Sequence, residues 1–185
     1  SGRYFDYYFK NYPHLFRQNR NGVALLTGKE SEADLINLAA DIFMYFGLGC
    51  RNVSKIFVPT GYGFKDWPAA IAEWSWMADH NKYRNNLDYN QAIYLINRIP
   101  HIGFGHLVLK EDDVVPSRIG CLHYSYFSEI GEVVRRLDEQ RDQIQCIVSK
   151  DPIGHWDHIR PGQSQQPALH QYADGVDTME FLINL

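Results

Sequence analysis

At 185 residues the chain has room for one ordinary domain with a real hydrophobic core, and 45% apolar against 22% charged residues is the balance of a soluble globular protein. A formal charge of -4 gives no reason to expect nucleic acid or an anionic membrane as partner, and no apolar run approaches the roughly 18 residues of a membrane-crossing helix. Three cysteines, Cys50, Cys121 and Cys146, are too few and too scattered for a disulfide framework or a Cys-x-x-Cys metal site, so reduced thiols in a cytoplasmic protein are expected.

The chain opens on SGRYFDYYFKNYPHLF, which lacks the basic-then-aliphatic layout of a signal peptide and begins without Met. Tyr4, Phe5, Tyr7, Tyr8, Phe9 and Tyr12 crowd a helical stretch, and so aromatic a helix is expected to bury most of its surface. The expectation is therefore an excised piece of a longer protein, with part of that helix's packing partner missing. Arg17 to Asn21 reads as a polar turn, and GVALLTG, from Gly22 to Gly28, as a short buried strand. Ser31, with Asp34 three residues on, predicts a capped helix start. Leu35, Leu38, Ala39, Ile42, Phe43 and Phe46 continue that helix at helical spacing, and Gly47 and Gly49 end it. VSKIFVP, from Val53 to Pro59, then reads as a β-branched strand, which completes a parallel β-α-β unit.

After a TGYGF turn, Asp66 is expected to cap a helix carrying Trp67, Ile71, Trp74 and Met77. A further helix is predicted over Asp88 to Arg98, stacking Ala92, Ile93, Leu95 and Ile96. Strands are predicted at His106 to Asp112, Ile119 to Phe127 and Gln145 to Ser149. A helix opening at Ser128, with Ile130, Val133, Val134 and Leu137 inward, lies between the last two. The tail is rich in Gly, Gln and Pro and closes on an apolar segment expected to be an edge strand. The fold expected is α/β, a mostly parallel twisted sheet flanked by helices.

Motif by motif, little chemistry survives. Five residues separate Gly22 from Gly28 and Glu30 follows Lys29, which is not a phosphate-binding P-loop. His155 and His158 sit in a loop-like stretch, short of the three or four rigid ligands that zinc needs, so no metal is expected. No Gly-x-Ser-x-Gly elbow is present. Cys121 and Cys146 fall in strand patterns and read as inert core. Cys50 stands apart: it lies on a bend with Gly47 and Gly49 before it, which permit close backbone approach, and with Arg51 beside it to favour a thiolate. By composition alone a buried small residue at a helix end is the weightier reading.

The run VALLTGKESEADLINLAADIFMYFGLGCRNVSKIFVP resembles the nucleophile region of the aldehyde dehydrogenase superfamily, with Cys50 on the nucleophile position. FGLGCRNVSKIFVP, HNKYRNNLDYNQAIYLIN, IGCLHYSYF and YADGVDTMEFL resemble the acyl-CoA reductases related to the fatty acid reductase of bacterial luminescence, over nearly the whole chain. The resemblance implies a single cysteine-bearing catalytic domain, residues 1–185, without the N-terminal dinucleotide-binding domain that would hold NADPH or NADH. It implies reduction of an acyl-CoA or acyl thioester to an aldehyde through a Cys50 acyl-enzyme, with Gly49, Arg51 and Asn52 as neighbours of the oxyanion. A long acyl chain would call for an apolar tunnel, with Phe16 or the Trp67–Met77 helix as candidate walls. Partners so implied are the acyl-CoA, the missing domain and a second copy of the chain, the isolated fragment being inactive.

Two departures accompany the match. The glutamate that activates water in ordinary aldehyde dehydrogenases falls on Phe16, which cannot act as a base; this suits an enzyme that keeps its thioester from water. The glutamate that holds the nicotinamide ribose is missing from Val115–Gly120, which reads Pro116, Ser117, Arg118, Ile119 before the glycine. Two other readings stand beside the reductase: acyl transfer through Cys50 without nicotinamide, and a non-catalytic assembly module.

Overall fold

Apart from the closing segment, each stretch read as a strand contributes to one sheet. In the computed structural model, which describes every residue except Ser1 and Gln18, the strands are β1 (Asn21–Leu25), β2 (Val53–Pro59), β3 (His101–Gly103), β4 (Val108–Glu111), β5 (Cys121–Phe127) and β6 (Ile144–Ser149). Gln18, within the polar turn expected from Arg17 to Asn21, lies outside the described residues. The order across the sheet is β3-β4-β5-β2-β1-β6, and only the β3–β4 pair is antiparallel. The α/β class with a mostly parallel sheet is thus observed. β1 and β2 are buried nearly end to end, as central parallel strands covered on both faces must be.

Helices cover both faces. On one, α2 (Glu32–Phe43), the single turn α3 (Trp67–Ala70) and α4 (Asn81–Ile96) bury Leu35, Leu38, Trp67 and Leu87 against Ile56 and Leu109. On the other, α5 (Ile130–Glu139) sets Val133 and Leu137 on Val23, Leu25, Phe57 and Ile147. The helix expected from Ser31 forms with its capping box. The Ser31 hydroxyl accepts from the Asp34 N–H at 3.2 Å, and the Asp34 carboxylate accepts from the Ser31 N–H at 2.8 Å, an arrangement worth about 1 kcal/mol. It links the two strands as the β-α-β reading expected.

Several expectations are corrected. The Asp66 side chain caps nothing, and the helix expected after it is α3 followed by a 3-10 stretch, Ala72–Asp79. α4 begins seven residues earlier than predicted, at Asn81 instead of Asp88, and buries Tyr83, Leu87, Asn90 and Tyr94. Leu95 and Ile96 stay out, 62% and 79% exposed. The tyrosines and the asparagine can face inward because each polar tip has a partner. Tyr83 Oη donates to the His106 carbonyl at 2.8 Å, Asn90 Nδ2 to the Ile119 carbonyl at 3.0 Å, and Tyr94 Oη reaches Cys121 Sγ at 3.7 Å. The closing segment is a helix, α6 (Thr178–Ile183), because Asp177 accepts from the N–H groups of Met179 and Glu180. The edge beside β6 is met instead by Ile159, whose N–H donates to the Ile147 carbonyl at 2.8 Å.

The aromatic helix α1 (Gly2–Phe9) does not bury its rings: Tyr4 and Tyr8 are each 71% exposed. Among the described residues, the aromatic rings that Phe5 meets are those of its own segment, Phe9 and Phe16. Among the described residues no helix is long and apolar enough to cross a membrane.

Candidate active site

α2 stops at Phe43, and the chain reverses through three residues in the left-handed region: Tyr45 (φ 55), Phe46 (φ 59) and Gly47 (φ 71). Such a conformation costs a non-glycine residue about 1–3 kcal/mol. Phe46 is held in it by rings around it, His80 at 4.5 Å and Trp76 at 5.9 Å between centroids. A turn over residues 49–52, closed by the Asn52 N–H on the Gly49 carbonyl at 3.0 Å, then delivers the chain to β2. Cys50 sits on that turn, exposed.

Asn52 fixes the turn. Fully buried, it accepts from the Gly49 N–H at 2.8 Å and donates through Nδ2 toward the carbonyls of Asp41 (2.9 Å), Ile42 (3.3 Å) and Met44 (2.9 Å). Helix C-termini leave such carbonyls without partners, and Asn52 supplies one donor group for them. Gly49 is required by this contact: a Cβ there would lie 2.7 Å from Asn52 Oδ1. Beneath the turn, a Cβ on Gly22 of β1 would lie 2.7 Å from the Arg51 carbonyl oxygen. The turn is therefore gripped from both sides.

A third wall comes from the tail. Asp41, 1% exposed, accepts from the N–H of Gly162 at 2.7 Å and of Ser164 at 2.9 Å. Burial pushes its carboxyl pKa up, opposed by the hydrogen bonds from Ser164 and Gly162. The loop so held offers the Ser164 carbonyl to Arg51 Nε, and brings Gln165 Oε1 within 3.8 Å of where a Gly49 Cβ would be.

Of the residues singled out in the sequence, the structure brings Gly49, Cys50, Arg51 and Asn52 together on one turn and gives them different tasks. Asn52 and Gly49 bond each other, so neither the Asn52 amide nor the Gly49 N–H is free for an oxyanion. Arg51 is engaged by Ser164 rather than by the thiol. The other two cysteines are core: burial raises the Cys121 thiol, and pushes Cys146 up to about 12. Phe16 packs on His14, 4.7 Å between centroids. Trp67 and Met77, offered as tunnel walls, are 2% and 0% exposed and belong to the packed core. Among the described residues no group of three or more possible metal ligands occurs; His155 Nε2 faces Asp138 at 3.1 Å.

Sequence reasoning missed three things. Asp41, Ser164 and Gln165 had one visible signal, a carboxylate placed on the apolar face of α2 between Leu38 and Ile42. Lys55 on β2 is 1% exposed; its Nζ donates to the Asp112 carbonyl at 3.0 Å and lies 3.9 Å from Asp113. Burial draws its pKa down to about 8 against the pull of Asp113. The third is a cavity of about 610 Å³ between β6 and the segments around residues 155–159 and 170–175. Arg51 and Cys146 reach its wall.

The fold and site define an α/β protein with an exposed thiol where a helix turns into a central parallel strand. No family model matches the chain, and no curated protein sequence matches it. Among solved structures, 1-pyrroline-5-carboxylate dehydrogenase of Thermus thermophilus superposes with a TM-score of 0.45 at 9% identity, over 74% of this chain and 36% of that one. The chain thus spans little more than a third of that enzyme. A superposition so loose carries neither fold nor activity across, and the fold stands on the strand order and register above.

Proposed function

We propose that the chain is the cysteine-bearing part of an oxidoreductase of aldehyde dehydrogenase type that reduces an acyl-CoA, or a related acyl thioester, to an aldehyde. One observation carries this reading beside the motif resemblance: of three thiols, the one on the resemblance's nucleophile position is the exposed one, on a turn anchored on every side. Deprotonated Cys50 attacks the thioester carbonyl carbon. The new C–S bond forms as the bond to the CoA sulfur breaks, and CoA leaves as a thiolate that takes up a proton. Within the turn, no bond from the N–H groups of Cys50 or Arg51 is found among the described residues, and on this reading they are the donors for the developing oxyanion. Losing one such donor typically costs about 2.7–4 kcal/mol of transition-state stabilisation.

NADPH or NADH would supply the hydride that turns the acyl-enzyme into aldehyde. The residues present do not fit a dinucleotide: β1 is followed by Leu26, Thr27, Gly28 and Lys29, not by the glycine-rich turn that cradles a pyrophosphate. The steps assigned to this chain therefore end at the acyl-enzyme.

The test uses the full-length protein with acyl-CoA and NADPH, following nucleotide oxidation and aldehyde together. The reading expects both, and expects Cys50→Ala to lose both while keeping the far-ultraviolet circular dichroism of the parent. Acyl turnover without nucleotide oxidation would favour acyl transfer instead.

A further inference from the structure

We propose that the cavity beside β6 is the subsite for the phosphate-bearing adenosine end of a nucleotide, that of the CoA carrier. The inference rests on the acyl-CoA reading above and extends it to residues that reading does not use. The cavity, about 610 Å³, is in the range of small-molecule sites. Its wall gathers Arg20, Arg51, Arg141, His155, His158 and His170, a set suited to an anion and not to an acyl chain.

Of the three aspartates that share the wall, Asp174 is already engaged by two cations, Arg17 at 3.6 Å and Arg20 at 3.5 Å. Arg141 stands apart from these pairs. Its guanidinium lies over the Trp156 ring, 5.0 Å from the centroid, and Trp156 Nε1 donates to Asp138 at 3.1 Å. A guanidinium over a ring face uses its cationic carbon there and retains N–H groups that suit phosphate oxygens.

Arg51 makes the subsite relevant to the chemistry. It follows Cys50 directly, and it belongs both to the turn that presents the thiol and to the cavity wall. A carrier whose phosphates rest against Arg141 and the histidines has its thiol end free to run along Arg51 toward Cys50. Acyl thioesters of CoA would then be preferred to those of pantetheine alone, while the acyl chain itself stays outside this polar cavity.

Calorimetric titration of the full-length protein with CoA, pantetheine and NADPH tests this at low salt, where phosphate contacts are least screened. The parent should bind CoA at least about tenfold more tightly than pantetheine, and Arg141→Gln should weaken CoA about tenfold while leaving pantetheine unchanged, a single charge-assisted contact being worth that much. Arg141→Lys should recover part of the loss, and Arg135→Gln, on an exposed face of α5, should change nothing. A loss confined to NADPH, with CoA unaffected, overturns the assignment to the carrier. Equal affinity for CoA and pantetheine, or affinities for CoA and NADPH indifferent to Arg141→Gln, overturns the proposal. Binding needs no reactive thiol, so a failure of Cys50 to become acylated would sink the acyl-enzyme reading and leave this measurement standing.

Discussion

Asn52 is the residue on which the position of Cys50 depends. One buried amide takes up the Gly49 N–H and answers the carbonyls at the end of α2. Asn52→Ala removes those bonds and strands buried carbonyls, and should lower stability by about 2–4 kcal/mol, read as a fall in the urea midpoint. Asn52→Asp should be worse, since a carboxylate cannot donate to the three carbonyls. Gly49→Ala is expected to fail for a different reason, its Cβ meeting Asn52 Oδ1 at 2.7 Å, with overpacking of this kind costing about 1–3 kcal/mol. The bend, its glycines and its cysteine were all legible in the sequence, but not the glycine's task. Gly49 reads as room for a substrate, and the structure fills that room with a side chain of the chain itself. Nothing in a linear sequence distinguishes the two, because both require only the missing Cβ.

At the scale of elements, β2 carries a buried lysine through the middle of the sheet. Lys55 has a folded-state pKa of about 8 against 10.5 unperturbed, so between these values the unfolded chain binds more protons than the folded one. The Lys55 contribution to stability should therefore rise with pH from about 8 to about 10.5, by at most about 3 kcal/mol, while the raised Cys121 and Cys146 thiols pull the other way from about pH 9. Lys55→Met should remove that slope, and denaturant titrations at several pH values read both. The elements themselves were mostly plain from pattern: α2 from its capping box and apolar spacing, β2 and β5 from β-branched and aromatic runs. α4 shows where pattern fails. Its buried stripe includes Tyr83, Asn90 and Tyr94, which look polar until each tip finds a partner on a distant strand or loop, and its conspicuous aliphatics, Leu95 and Ile96, are outside. β3 is three residues long and gave no signal of its own.

Across the whole molecule, the tail completes the site that the first sixty residues begin. Asp41 and Gly162 are 121 residues apart in sequence and 2.7 Å apart in space, a pairing that no local pattern announces. Ile159 bonds to β6, and Arg17 donates to the Ala173 carbonyl and the Thr178 hydroxyl, so that the closing segment is tied across the sheet edge. Removing residues 160–185 should leave the sheet folded yet expose Asp41 and free Arg51. Amide exchange should then quicken in the turn at residues 49–52, while β2 and β5 keep their protection. An unchanged turn would mean that Asn52 holds it without the tail.

The central claim is that the sulfur of Cys50 is reachable by a thioester, and mapping the acyl group measures it most directly. The protein is incubated with acyl-CoA without reductant, quenched in acid, digested and examined by mass spectrometry. The account predicts the acyl mass on the peptide bearing Cys50, absent from those bearing Cys121 and Cys146, and no labelling in Cys50→Ala. An acyl group on either buried cysteine, or labelling that survives the substitution, would contradict it.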